Sequence, residues 1–235
     1  MTAALELARG MEAWTTAFIL VFVRCAAAAA LLPGFGDRTL PLRVQLAGAF
    51  AFSLVVWPLV AERMPVPSDL GALARAIPAE ALAGLLIGLS VRLLILGLQF
   101  AGSVAAQSTS LAQVFAGGAT PDPMPALGTV LFLAGTTLAL IMGLHLRVVE
   151  GLAGSYTLLP AGRFPGAEDV AGWGLEHGAR ALALSFTLAA PFLVGALVYN
   201  LALGAINRAM PQLMVALVGA PAISLATLLI LLAAA

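Results

Sequence analysis

The chain has 235 residues, 62% of them hydrophobic and only 9% charged, and its 11 basic and 11 acidic residues cancel. A soluble domain carries about 45–50% apolar and about 25% charged residues, so a soluble monomer and a disordered chain are excluded. The zero net charge offers no electrostatic footprint for nucleic acid, and the single cysteine, Cys25, excludes an intramolecular disulfide framework.

The predicted elements follow the charge-free runs, because a helix crossing hydrocarbon needs about 20 apolar residues. A first helix is expected over 13–32. Glu6 and Glu12 outweigh Arg9 ahead of it, the wrong sign for a secretory leader, so the helix is expected to be retained. Cys25 stands in an alanine run and reads as a small packing residue. Pro33, Gly34, Gly36 and Pro41 mark the first turn, and a second helix is expected over 43–61, ending before Pro65 and Pro67. A third is expected over 78–112, followed by the breaker cluster GGATPDPMP at 117–125, and a fourth over 125–149. The stretch 150–180 holds Glu150, Arg163, Glu168, Asp169, Glu176 and Arg180 with several prolines and glycines, and reads as an aqueous loop. Two further helices are expected over 177–206 and 211–233. These runs are too long for strands and lack period-two alternation. The expected fold is therefore all-α, an integral membrane protein of about six long hydrophobic helices arranged as hairpins. Arg9, Arg63, Arg75, Arg147, Arg163 and Arg180 on one side, against Arg38, Arg43 and Arg208 on the other, favour a cytoplasmic N-terminus.

Within this frame several residues stand out. Gln99, Ser103, Gln107 and Ser110 recur at helical intervals and fall within an arc of about 80° on the third helix. Unpaired polar groups in hydrocarbon are costly, so this stripe faces protein or water, as interhelical hydrogen bonding or as the wall of a polar conduit. It runs into an apolar, glycine-bearing segment with Phe115, Gly117 and Gly118, which reads as a plug rather than a surface turn. Gly84 and Gly88, preceded by Glu80, form a GxxxG pair that lets two backbones approach closely. Arg24 and Arg92 lie within or between apolar runs and need a carboxylate, a carbonyl or water, in structural pairing, within the chain or with a partner subunit, rather than along a transport path. At the C-terminal end Asn207, Arg208, Pro211 and Gln212 form the polar tip of a hairpin between two greasy arms.

Enzymatic readings find little support. His145 and His177 are in separate segments, no GxSxG or Walker loop is present, and no metal-ligand spacing appears. No cofactor is expected. A small-molecule secondary transporter would show inverted repeats around a midplane site, and no repeat is found. An assembly factor without a pore role is the other alternative.

At the C-terminal hairpin the sequence resembles the FliR family of flagellar biosynthesis proteins, the type III export-gate subunit with injectisome homologues. The string LALGAINRAMPQL at 201–213, followed by VGAPA at 218–222, carries the likeness. In order along the chain, Arg24, the Pro33-Gly34-Phe35-Gly36 loop with Pro41 and Arg43, the Glu80-x3-Gly84-x3-Gly88 pattern, Ala101-Gly102 with Gln107, Asp122-Pro123, Gly143-x-His145 and Leu159-Pro160-x-Gly162 resemble further family landmarks. The resemblance implies a FliP-like helical portion over 1–175 and a FliQ-like hairpin over 176–235, functioning as one domain. It implies assembly with FliP-type and FliQ-type subunits and contact with an FlhB-type protein. It also implies a channel for unfolded flagellar proteins in the bacterial inner membrane, within the basal body. By position, the family's plug falls on about Gln107–Asp122. Arg24, Arg43, Glu80, Gly84, Gly88, Arg92, Asn207, Arg208, Pro211 and Gln212 become candidates for helix packing or partner contact. Injectisome membership is the alternative within the family.

Overall fold

A computed structural model describes residues 2–37, 40–64, 67, 69–109, 126–209 and 229. Among the described residues there are six α-helices: α1 Thr2–Leu31, α2 Leu42–Val60, α3 Leu70–Thr109, α4 Ala126–Ile141, α5 Leu144–Leu158 and α6 Ala167–Ala209. A 3-10 turn, Ala61–Arg63, follows α2, and no strand occurs among the described residues. The fold is all-α. Among the described residues four helices are long and apolar enough to cross a membrane, five if the bent pair α4–α5 counts as one span.

The helix ends follow from local chemistry. α1 stops ahead of Pro33, and the Asp37 carboxylate accepts the Gly34 N–H at 3.0 Å. Gln45, in the first turn of α2, donates to the carbonyls of Asp37 and Leu40 and ties that turn back to its helix. α3 starts at Leu70, earlier than the expected 78, because Asp69 caps it: its side chain accepts the Ala72 N–H at 2.6 Å. Pro78 is carried inside the helix.

Two expectations are corrected. The helix expected over 125–149 is two helices, bent by 72° at Met142–Gly143. Gly143 has φ +84°, the left-handed conformation that a residue with a Cβ pays to adopt, and it ends one helix and opens the next. The aqueous loop expected over 150–180 shrinks to 159–166. Polar residues alone do not break a helix. The breakers Pro160, Gly162, Pro165 and Gly166 do, and α6 resumes at once with Glu168 and Asp169 in its first turn, where carboxylates complement the helix dipole. Of the expected last helix, 211–233, only Leu229, which is helical, is described.

The chain divides into two compact units, Met1–Leu93 with Thr136–Gly178, and Leu94–Gly135 with Ala179–Ala235. In the first, α1 and the residue after it present a stripe at helical spacing, Ala17, Leu20, Val21, Cys25, Ala28, Ala29 and Leu32, all buried. It packs with Phe52, Val56 and Val60 of α2 and Val148, Leu152 and Tyr156 of α5. Trp14, Phe18, Phe50 and Trp57 add edge-to-face ring contacts between α1 and α2. In the second unit, α3 and α6 meet through small residues. Gly97, Ala101 and Ala105 face inward on one, and Ala181, Ser185 and Ala189 on the other. The Ser185 hydroxyl lies 2.9 Å from the Gly97 carbonyl, and an added Cβ on Gly97 would sit 3.0 Å from the Ala181 carbonyl. Phe100 and Phe186 flank this crossing edge to face.

Candidate functional site

The most heavily determined polar cluster lies where α1 crosses α3. Arg24 and Glu80 are 1% and 0% exposed. Arg24 Nε donates to Glu80 Oε2 at 2.7 Å and Nη2 to Oε1 at 3.1 Å, a two-pronged ion pair. Nη1 donates to the Ser155 hydroxyl at 2.9 Å, and Nη2 also donates to the Leu159 carbonyl at 3.0 Å. Ser155 donates its own hydroxyl hydrogen bond to the Leu152 carbonyl at 2.7 Å, which leaves its lone pairs turned to the cation. The guanidinium carbon stands 3.7 Å from the centre of the Tyr156 ring, a cation–π contact. Glu80 takes one more strong donor, the Gly162 N–H at 2.8 Å, while the Tyr156 hydroxyl lies farther off at 3.5 Å.

Each part of this cluster is placed by a local device. Gly84 and Gly88 let α3 lie against α1: an added Cβ on Gly84 would collide with the Arg24 carbonyl oxygen, and one on Gly88 with that of Ala28. This closeness puts Glu80, one turn before Gly84, level with Arg24. Gly162 has φ +72°, and this left-handed turn aims its N–H at Glu80. The Leu159-Pro160-x-Gly162 turn is thus gripped at both ends, its first carbonyl by the cation and its last amide by the anion. A buried charge without a partner costs several kcal/mol, so α1, α3 and the turn after α5 are held together by what would otherwise be a penalty. Among the described residues no group of three His, Cys, Asp or Glu side chains is placed to hold a metal ion. Beside the cluster, an open, largely apolar cavity of about 600 Å³ is lined by Ile87, Gly151, Gly154, Leu158 and Trp173.

The remaining singled-out residues are scattered. Gln99 and Ser103 are half-buried against α4, where an added Cβ on Gly128 would come within 3.1 Å of the Gln99 carbonyl and the Ser103 hydroxyl. Ser103 donates to the Gln99 carbonyl at 3.0 Å. This half of the stripe lies beside α4. Gln107 is exposed near the end of α3. Ser110, Phe115, Gly117, Gly118, Asp122, Pro211 and Gln212 lie outside the described residues. Arg43 is exposed at the start of α2, Arg92 half-buried on α3, and Asn207 and the exposed Arg208 are in the last turn of α6. Ser155 and Tyr156 were not anticipated, because they fall in the stretch read as a loop. Gly97 and Ser185 were not anticipated either, although small residues spaced by four on both helices are a legible signal of close crossing.

Arg24, the Glu80-x3-Gly84-x3-Gly88 pattern and Leu159-Pro160-x-Gly162 are three separate landmarks in the sequence and one cluster in space. The comparison with known proteins agrees with the likeness they carry. Residues 15–235 match the family described as bacterial export proteins, family 1. The chain belongs to this family, that of FliR. The flagellar biosynthetic protein FliR of Caulobacter vibrioides is 36% identical over 220 residues, covering 90% of this chain and 87% of the relative. FliR of Bacillus subtilis is 28% identical over 210 residues, covering 87% and 80%. FliR of Escherichia coli is 27% identical over 210 residues, covering 88% and 80%. The chain therefore matches FliR proteins over most of both lengths.

Proposed function

We propose that this chain is a subunit of the flagellar protein export gate. It builds, with FliP-type and FliQ-type subunits and next to an FlhB-type protein, the channel through which unfolded flagellar proteins leave the cytoplasm. The near end-to-end match to FliR carries this reading. The relatives named above are flagellar proteins, which favours a flagellum over an injectisome. The gate sits in the inner membrane within the basal body, and the chain acts by shape and packing rather than by catalysis.

The surface supports assembly with other helices. α3 has 40 residues and α6 has 43, lengths of about 60 Å and about 65 Å, twice the hydrocarbon thickness of a bilayer. Leu70, Ile77, Leu85, Leu94 and Phe100 are exposed along α3, and Leu182, Phe186, Val194, Val198 and Leu201 along α6. A bilayer covers only part of such lengths, and partner helices cover the rest. In this reading residues 1–175 form a FliP-like portion and 176–235 a FliQ-like hairpin. The segment 107–122, with Phe115, Gly117, Gly118 and Asp122, plugs the closed channel. Deleting 116–121 is expected to leave the gate complex intact while raising ion conductance through it. Unchanged conductance of the recovered complex would refute the plug.

A further inference from the structure

A cation in the middle of an apolar helix needs a counterion, and the two such cations of this chain meet that need differently. Arg24 is satisfied inside the chain by Glu80, Ser155, Leu159 and the Tyr156 ring. Arg92 is half-buried and, among the described residues, forms neither a hydrogen bond nor an ion pair. Glu80 lies on the same helix three turns away, but its carboxylate is already committed to Arg24 and Gly162. Nothing else between Arg75 and the end of α3 is charged.

The position of Arg92 limits what can answer it. The apolar stretch of α3 is bounded by exposed Arg75 and exposed Gln107. Arg92 lies about 25 Å along the helix from the first and about 22 Å from the second. With this stretch centred in hydrocarbon, Arg92 is near the midplane, beyond the reach of a side chain snorkelling to a lipid phosphate. Its immediate surroundings have the character of an interface. Leu85, 39% exposed, falls within about 20° of Arg92 around the helix, so the cation stands beside an apolar side chain that the described residues leave partly open.

We propose that Arg92 is a docking cation: the face of α3 around Leu85 and Arg92 receives a helix of a neighbouring gate subunit, and a carboxylate on that helix pairs with the guanidinium. The proposal rests on the export-gate reading above. A carboxylate buried on the partner would be as costly alone as Arg92 is, so each completes the other, and the pair sets the register between two otherwise featureless apolar surfaces.

The test uses the full chain, tagged and co-expressed with its FliP-type and FliQ-type partners, as wild type and as Arg92→Lys, Arg92→Leu and Arg92→Glu. Chain abundance in the membrane, partner recovered with the tag, and swimming are measured together. Arg92→Leu and Arg92→Glu are expected to leave abundance at the wild-type level but to lower recovered partner at least ten-fold. Arg92→Lys is expected to keep recovery within about three-fold. Swimming suppressors of Arg92→Glu are expected to replace an Asp or Glu of a partner subunit by Arg or Lys. Recovery with Arg92→Leu within two-fold of wild type would overturn the proposal and assign the cation to lipid or water. Loss of Arg92→Leu from the membrane, or suppressors at this chain's own carboxylates, would overturn it in favour of a role in the fold. A wild-type chain that recovers no partner would overturn the export-gate reading itself, and the docking site with it.

Discussion

Arg24 and Glu80 stand 56 positions apart, and the cost of burying each is what binds them. Replacing Glu80 by Gln keeps the shape but leaves a buried guanidinium without a counter-charge. The expected loss is about 3–5 kcal/mol, read as a lower unfolding midpoint of the purified chain in detergent. Arg24→Met combined with Glu80→Leu is expected to recover only part of that loss, because the Leu159 carbonyl and the Gly162 N–H would then lack partners. Equal midpoints for Glu80→Gln and wild type would contradict the account of the cluster. At this scale the sequence was half legible. An arginine inside an apolar run announces that it needs a partner, and Glu80 ahead of the glycine pair stood out as well. That they serve each other could not be read, since no local rule links positions so far apart. Ser155 and Tyr156 were hidden because they sit on the polar side of a hydropathy boundary.

Helices tell the glycines apart. Gly84 is pressed on the Arg24 backbone, so Gly84→Ala is expected to destabilise by about 1–3 kcal/mol through overpacking. Gly151 and Gly154 have open space where a Cβ would go, so alanine there is expected to stabilise the isolated chain by about 0.5–1 kcal/mol each through helix propensity. Thermal unfolding of the three single variants in one detergent checks the opposite signs, and a common sign would contradict the crossing described for α1 and α3. The existence of most helices was legible because charge-free runs of this length admit little else. Their ends were less so. The start of α3 was missed because the Asp69 cap lies nine residues before the expected boundary. The break at Gly143 was missed because the hydropathy runs on unchanged through a backbone turn that one glycine makes.

For the whole molecule, the composition that excluded a soluble monomer also predicts where the chain is incomplete by itself. Apolar side chains stay exposed along α2, α3 and α6, far more than an isolated soluble protein tolerates, and two helices exceed the thickness of a bilayer. Family membership was legible because its landmarks are spread along the chain in order. The physical reason for three of them, one shared ion-pair cluster, needed the coordinates. Partners leave no local signature in an apolar sequence, since a residue facing lipid and one facing a greasy neighbour are chosen alike. The export-gate reading predicts that the chain, when its partners are present, is recovered as part of a larger body. Native mass spectrometry of the tagged chain, co-expressed with its FliP-type and FliQ-type neighbours, measures this directly. The account predicts a single copy of the chain in a stable hetero-oligomer with both. A chain that purifies alone from the same cells, as a stable monomer or homodimer, would contradict it.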